Sequence, residues 1–173
     1  MLNEKMIEAL NTQINKEIYS AYLYLSMSAH STSTGLNGFA NWFMVQYQEE
    51  MTHAMKIYDY INDHDGKVKL MAIDQPPTDF GSPLDMLEKT LDHEKFFTKS
   101  INNLVELAIE EKDHATQIFL QWFVIEQIEE EANDNEIISK LKLVGNEGNG
   151  LFMIDKELAG RVFTPAASEE GGT

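Results

Sequence analysis

The sequence contains no cysteine among its 173 residues. This absence excludes disulfides, thiol nucleophiles, zinc ribbons and cysteine-ligated iron–sulfur clusters. A bound metal ion would therefore have to be held by Glu, Asp, His, Gln or Tyr side chains. No window approaches the roughly 18 consecutive apolar residues of a membrane span, and the N-terminus lacks the basic and apolar blocks of a signal peptide. We expect a cytoplasmic protein that does not bind membranes.

Basic residues are also scarce. Thirteen Lys and Arg face 29 Asp and Glu, which gives a formal net charge of −16. A surface this negative repels nucleic acids and anionic membranes and attracts cations. We therefore expect no nucleic-acid partner.

Proline, the strongest helix breaker, occurs only four times, at positions 76, 77, 83 and 165. The long proline-free stretches between these positions favour an all-helical protein. With capping residues and turn glycines as boundaries, we predict helices from after Asn3 to about Ser31, from about Gly38 to His64, from Ser82–Asp85 to about Glu111, from after Asp113 to about Val144, and from about Gly150 to Ala159.

Two boundary signals have a specific mechanism. Asp65-Gly66 ends the second helix, with glycine expected in the left-handed conformation. Ser82-Pro83-Leu84-Asp85 restarts a helix with an N-cap, a first-turn proline and a capping box.

Four helices of about 28 residues would each be on the order of 40 Å long, the proportions of a four-helix bundle. The first and second helices, and the third and fourth, are joined by short turns, whereas about 16 residues separate the second from the third. This length predicts one long crossover along the bundle. We expect a single domain over residues 1–160 and a flexible tail over 161–173.

Polar residues interrupt each predicted inner stripe near its midpoint. They are Glu17 in the first helix, Gln46, Glu50 and His53 in the second, Glu94 in the third, and Gln127, Glu130 and Asp134 in the fourth. The glutamates lie about 12 to 17 residues from their helix starts. Whichever way the helices run, these groups should fall in one transverse layer.

Burying several unpaired carboxylates together costs many kcal/mol unless cations or shared protons compensate them. Four glutamates carry −4, which balances two divalent ions, and Glu50-x-x-His53 places two ligands one turn apart on one helix face. Carboxylate-rich coordination without thiolate favours iron first and manganese second, and open coordination positions would admit dioxygen. The pattern predicts a dinuclear metal site.

A less specific interpretation exists for each residue. A single glutamate on an inner stripe is more often paired with a neighbouring side chain than bound to metal, and it is the joint occurrence of four that favours a metal site. The other histidines lack such company, and we interpret them as surface or helix-end residues without a role: His30, His64, His93 and His114.

Four sequence motifs resemble those of prokaryotic non-haem ferritins, members of the ferritin-like superfamily. They are Asn15-Lys-Glu17-Ile-Tyr-Ser-Ala-Tyr-Leu-Tyr24, Gln48-Glu49-Glu50-Met-Thr-His53, His93-Glu94, and Glu126-Gln127-Ile-Glu129-Glu130 within the last bundle helix. The resemblance covers the whole chain except about the last ten residues. It implies a ferritin-like bundle with one long crossover and a short fifth helix.

The resemblance also implies roles for individual residues. The first iron would be held by Glu17, Glu50 and His53, and the second by Glu50, Glu94 and Glu130, with Glu50 bridging and Gln127 beside the second iron. A third iron position would be lined by Glu49, Glu126, Glu129 and Glu130. Tyr24 would donate an electron or a hydrogen bond nearby. Its spacing of seven residues from Glu17 returns it to the same helix face.

Differences between this sequence and two related families, the bacterioferritins and the rubrerythrins, favour the resemblance to non-haem ferritins. Bacterioferritins carry a second E-x-x-H in the last bundle helix, where this chain has Gln127-x-x-Glu130, and rubrerythrins need cysteines that are absent. Met51 lies where bacterioferritins place a haem-ligating methionine, but methionines on helices usually pack. Haem is not expected.

The implied function is a ferroxidase that oxidises Fe(II) with dioxygen or hydrogen peroxide and stores ferric mineral inside a shell of 24 subunits. Two alternatives remain open. One is a discrete di-iron oxidase or peroxidase that retains its metals, and the other is a structural bundle that binds none.

Overall fold

The computed structural model describes residues 2–145 and 148–164, and all the regular secondary structure there is helical. The helices are α1 (Glu4–Ser33), α2 (Asn37–Asp63), α3 (Pro83–Glu110), α4 (His114–Val144) and α5 (Gly148–Leu158). The predicted all-α bundle with a short fifth helix is confirmed, and the predicted boundaries differ from the observed ones by one or two residues. None of these helices combines the length and apolarity needed to cross a membrane. Most of the predicted tail, residues 165–173, lies outside the described residues.

Side chains cap the helix starts where the sequence predicts them. The side-chain oxygen of Asn3 accepts a hydrogen bond from the Met6 amide at 2.8 Å. Ser82 and Asp85 form a reciprocal capping box, with Pro83 in the first turn of α3. These contacts satisfy amides that have no partner within their own helix, which fixes where α1 and α3 begin.

The end of α2 differs from the prediction. Asp65 adopts the left-handed conformation, with φ of 56°, and Gly66 does not. Glycine is required at position 66 for another reason, because a Cβ there would lie 2.9 Å from the Ile61 carbonyl oxygen and 2.7 Å from its Cγ2. Asp tolerates the left-handed region better than most residues, so the neighbour of the glycine takes the strained position.

The connection between α2 and α3 runs along α1, as its length predicts. Asn11 Nδ2 donates to the Lys67 carbonyl at 3.0 Å, and Asn15 Nδ2 to that of Ala72 at 3.0 Å. Further along, Ser26 Oγ donates to the Pro77 carbonyl at 2.6 Å. The crossover therefore returns the chain to the far end of α1, so that α2 and α3 run in the same direction and α1 and α4 in the other.

Two apolar clusters fill the bundle, one on each side of its polar layer. The upper cluster lies at the end of the bundle where α5 packs, and its members include Tyr24, Phe39, Phe43, Leu87, Ile137 and Ile154. The lower cluster includes Met6, Leu10, Ile57, Ile61, Ile101 and Leu120. Burial of these side chains stabilises the bundle and excludes water from both sides of the layer between them.

Helix α5 packs against the N-terminal half of α2. The Asp155 carboxylate accepts hydrogen bonds from the amides of Gly38 and Phe39, at 2.8 and 3.0 Å, and so caps the start of α2. Asn41 Nδ2 donates to the Arg161 carbonyl at 2.9 Å, which holds the segment after α5. These contacts place Arg161, at the start of the predicted tail, beside α2.

Replacing Gly38 with alanine should undock α5. A Cβ at this position would overlap the Asp155 backbone, leaving no room without movement of α5. We expect Gly38→Ala to lower the free energy of unfolding of the metal-free protein by about 1–3 kcal/mol, the usual cost of overpacking. Thermal unfolding followed by circular dichroism measures this. Gly148→Ala, with nothing within 4 Å of the added atom, is the control, and equal melting temperatures for the two variants would contradict the packing argument.

Candidate metal centre

Three potential metal ligands meet between the two apolar clusters. One ligand atom from each of Glu17, Glu50 and His53 lies within 4.8 Å of the other two. His53 Nδ1 is 3.5 Å from Glu50 Oε2 and 3.9 Å from Glu17 Oε2. All three side chains are buried, so this is a water-poor cluster of two carboxylates and one imidazole. It contains the residues that the resemblance assigns to the first iron.

The electrostatics of this trio favour binding of a cation or of protons. Burial, and then the charge of Glu50, raise the pKa of the Glu17 carboxyl well above its ordinary value. Burial and then the charge of Glu94 do the same for Glu50. Glu50 Oε2 is buried without a hydrogen-bond partner. Since an unpartnered buried carboxylate oxygen is costly, a divalent cation bound there would remove that cost.

The other predicted ligands are held by hydrogen bonds. Glu94 accepts a hydrogen bond from the Tyr24 hydroxyl and another, at 3.1 Å, from Gln127 Nε2. Glu130 Oε2 accepts from Gln46 Nε2 at 2.9 Å. Burial, and then the charge of Glu130, raise the pKa of Glu94 to about 7. These two carboxylates therefore interact electrostatically while each is bound to its own donors.

The structure gathers the first ligand set more closely than the second. Within residues 2–145 and 148–164, Glu17, Glu50 and His53 are the one trio of Asp, Glu or His side chains as close as 4.8 Å. Glu94 and Glu130 stay outside it, which follows from the repulsion between like charges and from their amide and hydroxyl donors. A second cation would have to draw Glu94 towards Glu50.

The residues predicted for a third iron position lie at the edge of the layer. Glu49 and Glu126 are half-buried, and Glu129 is exposed. Burial raises the pKa of Glu49 to about 7, although the nearby Arg161 opposes this and Glu130 adds to it. Burial likewise raises the pKa of Glu126, and the charges of Glu130 and Glu129 add to the shift.

Two residues near the centre were not predicted to have a role. Asp134 lies on the predicted inner stripe, and it is completely buried with neither carboxylate oxygen hydrogen-bonded. Burial, and then the charge of Glu94, raise its pKa to about 9. Arg161 lies in the predicted tail and donates to Glu49 at 2.7 Å. The signal for Arg161 was its uniqueness, since it is the one arginine in the chain.

His93 differs from the surface or helix-end placement predicted for it. It lies in the middle of α3, partly buried, with Nε2 2.6 Å from Ser20 Oγ and its ring packed against Tyr24 and Phe97. Burial lowers its pKa to about 4, so it is neutral at physiological pH. Sequence spacing could not reveal this, because the ring turns away from the inner stripe towards α1.

The donor set suits hard divalent ions. Carboxylate oxygens with a single imidazole and no thiolate favour iron or manganese over copper(I) or structural zinc. Glu50 and His53 project from one turn of α2 towards Glu17 on α1, and α3 and α4 supply Glu94 and Glu130. Each helix of the bundle thus contributes to one layer, as the inner stripes predict.

Known proteins match this chain along most of its length. The family model described as a ferritin-like domain matches residues 7–144. A bacterial non-heme ferritin of Campylobacter jejuni is 47% identical over 156 residues, which cover 90% of this chain and 93% of the relative. The one from Staphylococcus saprophyticus is 43% identical over 163 residues, covering 94% and 98%.

Solved ferritin structures also match this chain along most of its length. A crystal structure of an open pore ferritin from the archaeon Archaeoglobus fulgidus is 52% identical, with a TM-score of 0.93, and covers 94% of this chain and all of that one. An engineered closed form of the same ferritin is 53% identical, with a TM-score of 0.94, over 95% of this chain and all of that one.

Asp134 should make the metal-free protein less stable as the pH rises. Its folded-state pKa of about 9 exceeds the ordinary 3.8, so ionisation favours the unfolded chain and stability falls between these values, by up to about 1.4 kcal/mol per pH unit. Asp134→Asn removes this titration. We expect the variant to lose less stability than the wild type between about pH 5 and pH 8 in denaturant titrations.

The exposed Asp92→Asn on α3 serves as the control and should behave as the wild type. Parallel stability profiles for Asp134→Asn and the wild type would show that Asp134 is not an uncompensated buried carboxylate.

Proposed function

The chain belongs to the ferritin family and functions in iron storage, and we propose that it oxidises Fe(II) at the polar layer before storing it. The observation that supports this most strongly is the buried trio of Glu17, Glu50 and His53. Its unpartnered carboxylate oxygen and its position between two apolar clusters suit a divalent substrate ion. Four glutamate charges in the layer match two such ions.

Oxidation requires two Fe(II) close together. We propose that Glu17, Glu50 and His53 hold the first, that Glu50, Glu94 and Glu130 hold the second, and that Gln127 lies beside the second. Each Fe(II) gives up one electron, and the two electrons reduce one dioxygen, with two protons, to hydrogen peroxide. As the alternative oxidant, one hydrogen peroxide accepts two electrons from two Fe(II), takes up two protons and yields two water molecules. The protein contributes ligand geometry and charge balance, while the metal supplies the redox chemistry.

Tyr24 is placed to assist the second ion. Its hydroxyl donates to Glu94, so the position of the tyrosine and that of the ligand are coupled. Burial, and then the charge of Glu94, raise the pKa of Tyr24 well above its ordinary value and keep the phenol protonated. It can therefore donate a hydrogen bond to a ligand, or an electron together with its proton.

We propose that the ferric product leaves by the acidic edge of the layer. Glu49, Glu126, Glu129 and Glu130 provide a third iron position there. Gln127 is a neutral and weak ligand, and Glu130 is shared between the second and third positions, so the second ion should be held less tightly than the first. A centre built in this way empties and refills, which suits storage better than a retained cofactor.

Storage also needs a cavity that one subunit of this size cannot enclose. We propose a closed shell of 24 subunits, built from repeated symmetric interfaces.

Light scattering after size exclusion should then give a mass of about 470 kDa, 24 times the chain mass of 19.7 kDa. A monomer or dimer would favour a discrete di-iron enzyme.

Removing the shared ligand should slow oxidation most. Glu50→Ala takes a carboxylate from both proposed iron positions, so we expect the fast phase at two Fe(II) per subunit to slow at least about tenfold. Glu94→Ala should chiefly weaken the second position. Stopped-flow absorbance measures both rates. Glu106→Ala, an exposed site on α3, is the control, and an unchanged fast phase in Glu50→Ala would refute the ligand assignment.

Repeated turnover separates storage from a retained cofactor. Metal-free protein given a large excess of Fe(II) in air should oxidise far more than two per subunit and keep the product soluble as a mineral that elutes with the shell. Glu130→His supplies a firmer ligand for the second ion and should stop turnover after the first cycle. Iron analysis of the eluted protein measures this. Wild-type oxidation that halts near two irons per subunit, without mineral, would favour the di-iron oxidase or peroxidase.

A further inference from the structure

Arg161 forms a fixed contact with one of the proposed metal ligands. Its Nη2 donates to Glu49 Oε2 at 2.7 Å, and its Nη1 donates to Gln46 Oε1 at 2.5 Å. Both side chains of the ion pair are largely buried, at 22% and 21% exposed. An ion pair this shielded, with a forked donor bound to two acceptors, is stronger than an exposed one.

Side chains along one face of α2 hold the Arg161 guanidinium. It lies over the Trp42 ring, 5.0 Å from the centroid, and Trp42, Gln46 and Glu49 follow one another at spacings of four and three residues on α2. Asn41 donates to the Arg161 backbone carbonyl. The one arginine of a chain with 12 lysines is therefore placed where a planar, forked donor fits.

The same contact extends to a second proposed ligand. By donating to Gln46 Oε1, Arg161 orients the amide so that its Nε2 donates to Glu130 Oε2 at 2.9 Å. Arg161 thus acts on Glu49 directly and on Glu130 through one amide. It touches no atom that reacts in the proposed oxidation, so it is a positioning residue.

We propose that Arg161 is an internal cation that occupies the Glu49 carboxylate of the third metal position until a metal ion displaces it. This rests on the proposed function, since the third position is itself proposed there. A metal ion at this position needs a carboxylate oxygen of Glu49, and Arg161 already binds Glu49 Oε2. The guanidinium charge also repels the ion. Arg161 therefore weakens the third position selectively and keeps occupancy there short.

Metal-binding calorimetry on the assembled, metal-free protein tests the competition. Zn²⁺ is the probe, because it undergoes no redox change. In the wild type we expect the first and second positions to form a tight class of sites and the third position to form a weaker class. Arg161→Gln should tighten the weaker class about tenfold or more, the effect of losing one charged hydrogen-bond competitor. Arg161→Lys keeps the charge without the fork and should fall between the two.

The control variant is Glu49→Gln, which removes the contested carboxylate. In that background the weaker class should be lost or much weakened, and adding Arg161→Gln should change nothing further. Tightening by Arg161→Gln that persists without Glu49 would overturn the proposal, as would a weaker class that Arg161→Gln leaves unchanged or loosens. The melting temperature and assembled mass of each variant are first compared with those of the wild type. General loosening of α5 would differ from the proposed competition, because it would weaken both classes of sites together.

Tryptophan emission provides a second readout that a merely structural role would not give. As Zn²⁺ fills the weaker class in the wild type, the guanidinium should leave the Trp42 ring, and emission should change at those equivalents. Arg161→Gln has no guanidinium to displace, so this step should be missing. An identical emission step in both proteins would overturn the proposal. Absence of the tight class in the wild type would instead refute the proposed function, so the two failures are distinguishable.

Discussion

The cost of burying carboxylates in an apolar bundle governs the rest of this structure. Glu17, Glu50, Glu94 and Glu130 are all at most 3% exposed, and apolar clusters lie above and below them. Such groups cannot all be charged without compensation, because each loses its hydration and repels its neighbours. Burial raises the pKa of Glu17, Glu50 and Glu94, which favours their protonated forms. Amides and a phenol also donate hydrogen bonds to Glu17, Glu94 and Glu130. A divalent substrate would replace part of that compensation.

The groups that compensate the carboxylates differ from one side of the layer to the other, and metal affinity should differ with them. At the inner end Glu50 retains an unpartnered oxygen, which suits a strongly bound ion. In the middle Glu94 and Glu130 already have donors, so an ion there must compete with them. At the outer edge Glu49 is paired with Arg161. We infer that affinity falls from the core towards the edge, as a centre that releases its product requires.

Most of the fold was predictable because it depends on local signals. Stripes of apolar residues predicted the bundle, the Ser82–Asp85 box predicted the start of α3, and connection lengths predicted the crossover. The polar layer was predictable because residues near the middle of each helix must meet. Arg161 was not, because its contact with Glu49 spans more than a hundred residues and depends on how α5 docks. The left-handed conformation of Asp65 could not be predicted, because helices commonly end in a left-handed glycine and Gly66 directly follows Asp65. Glycine is instead required at position 66 by its close approach to Ile61.

We propose that the polar layer holds two metal ions that share Glu50 as a ligand. Anomalous diffraction at the iron edge, from crystals soaked anaerobically in Fe(II), tests this most directly. We expect two peaks inside each bundle, one among Glu17, Glu50 and His53 and one among Glu50, Glu94 and Glu130, with the second weaker at limiting iron. Peaks confined to the outer surface, with the layer empty, would contradict it.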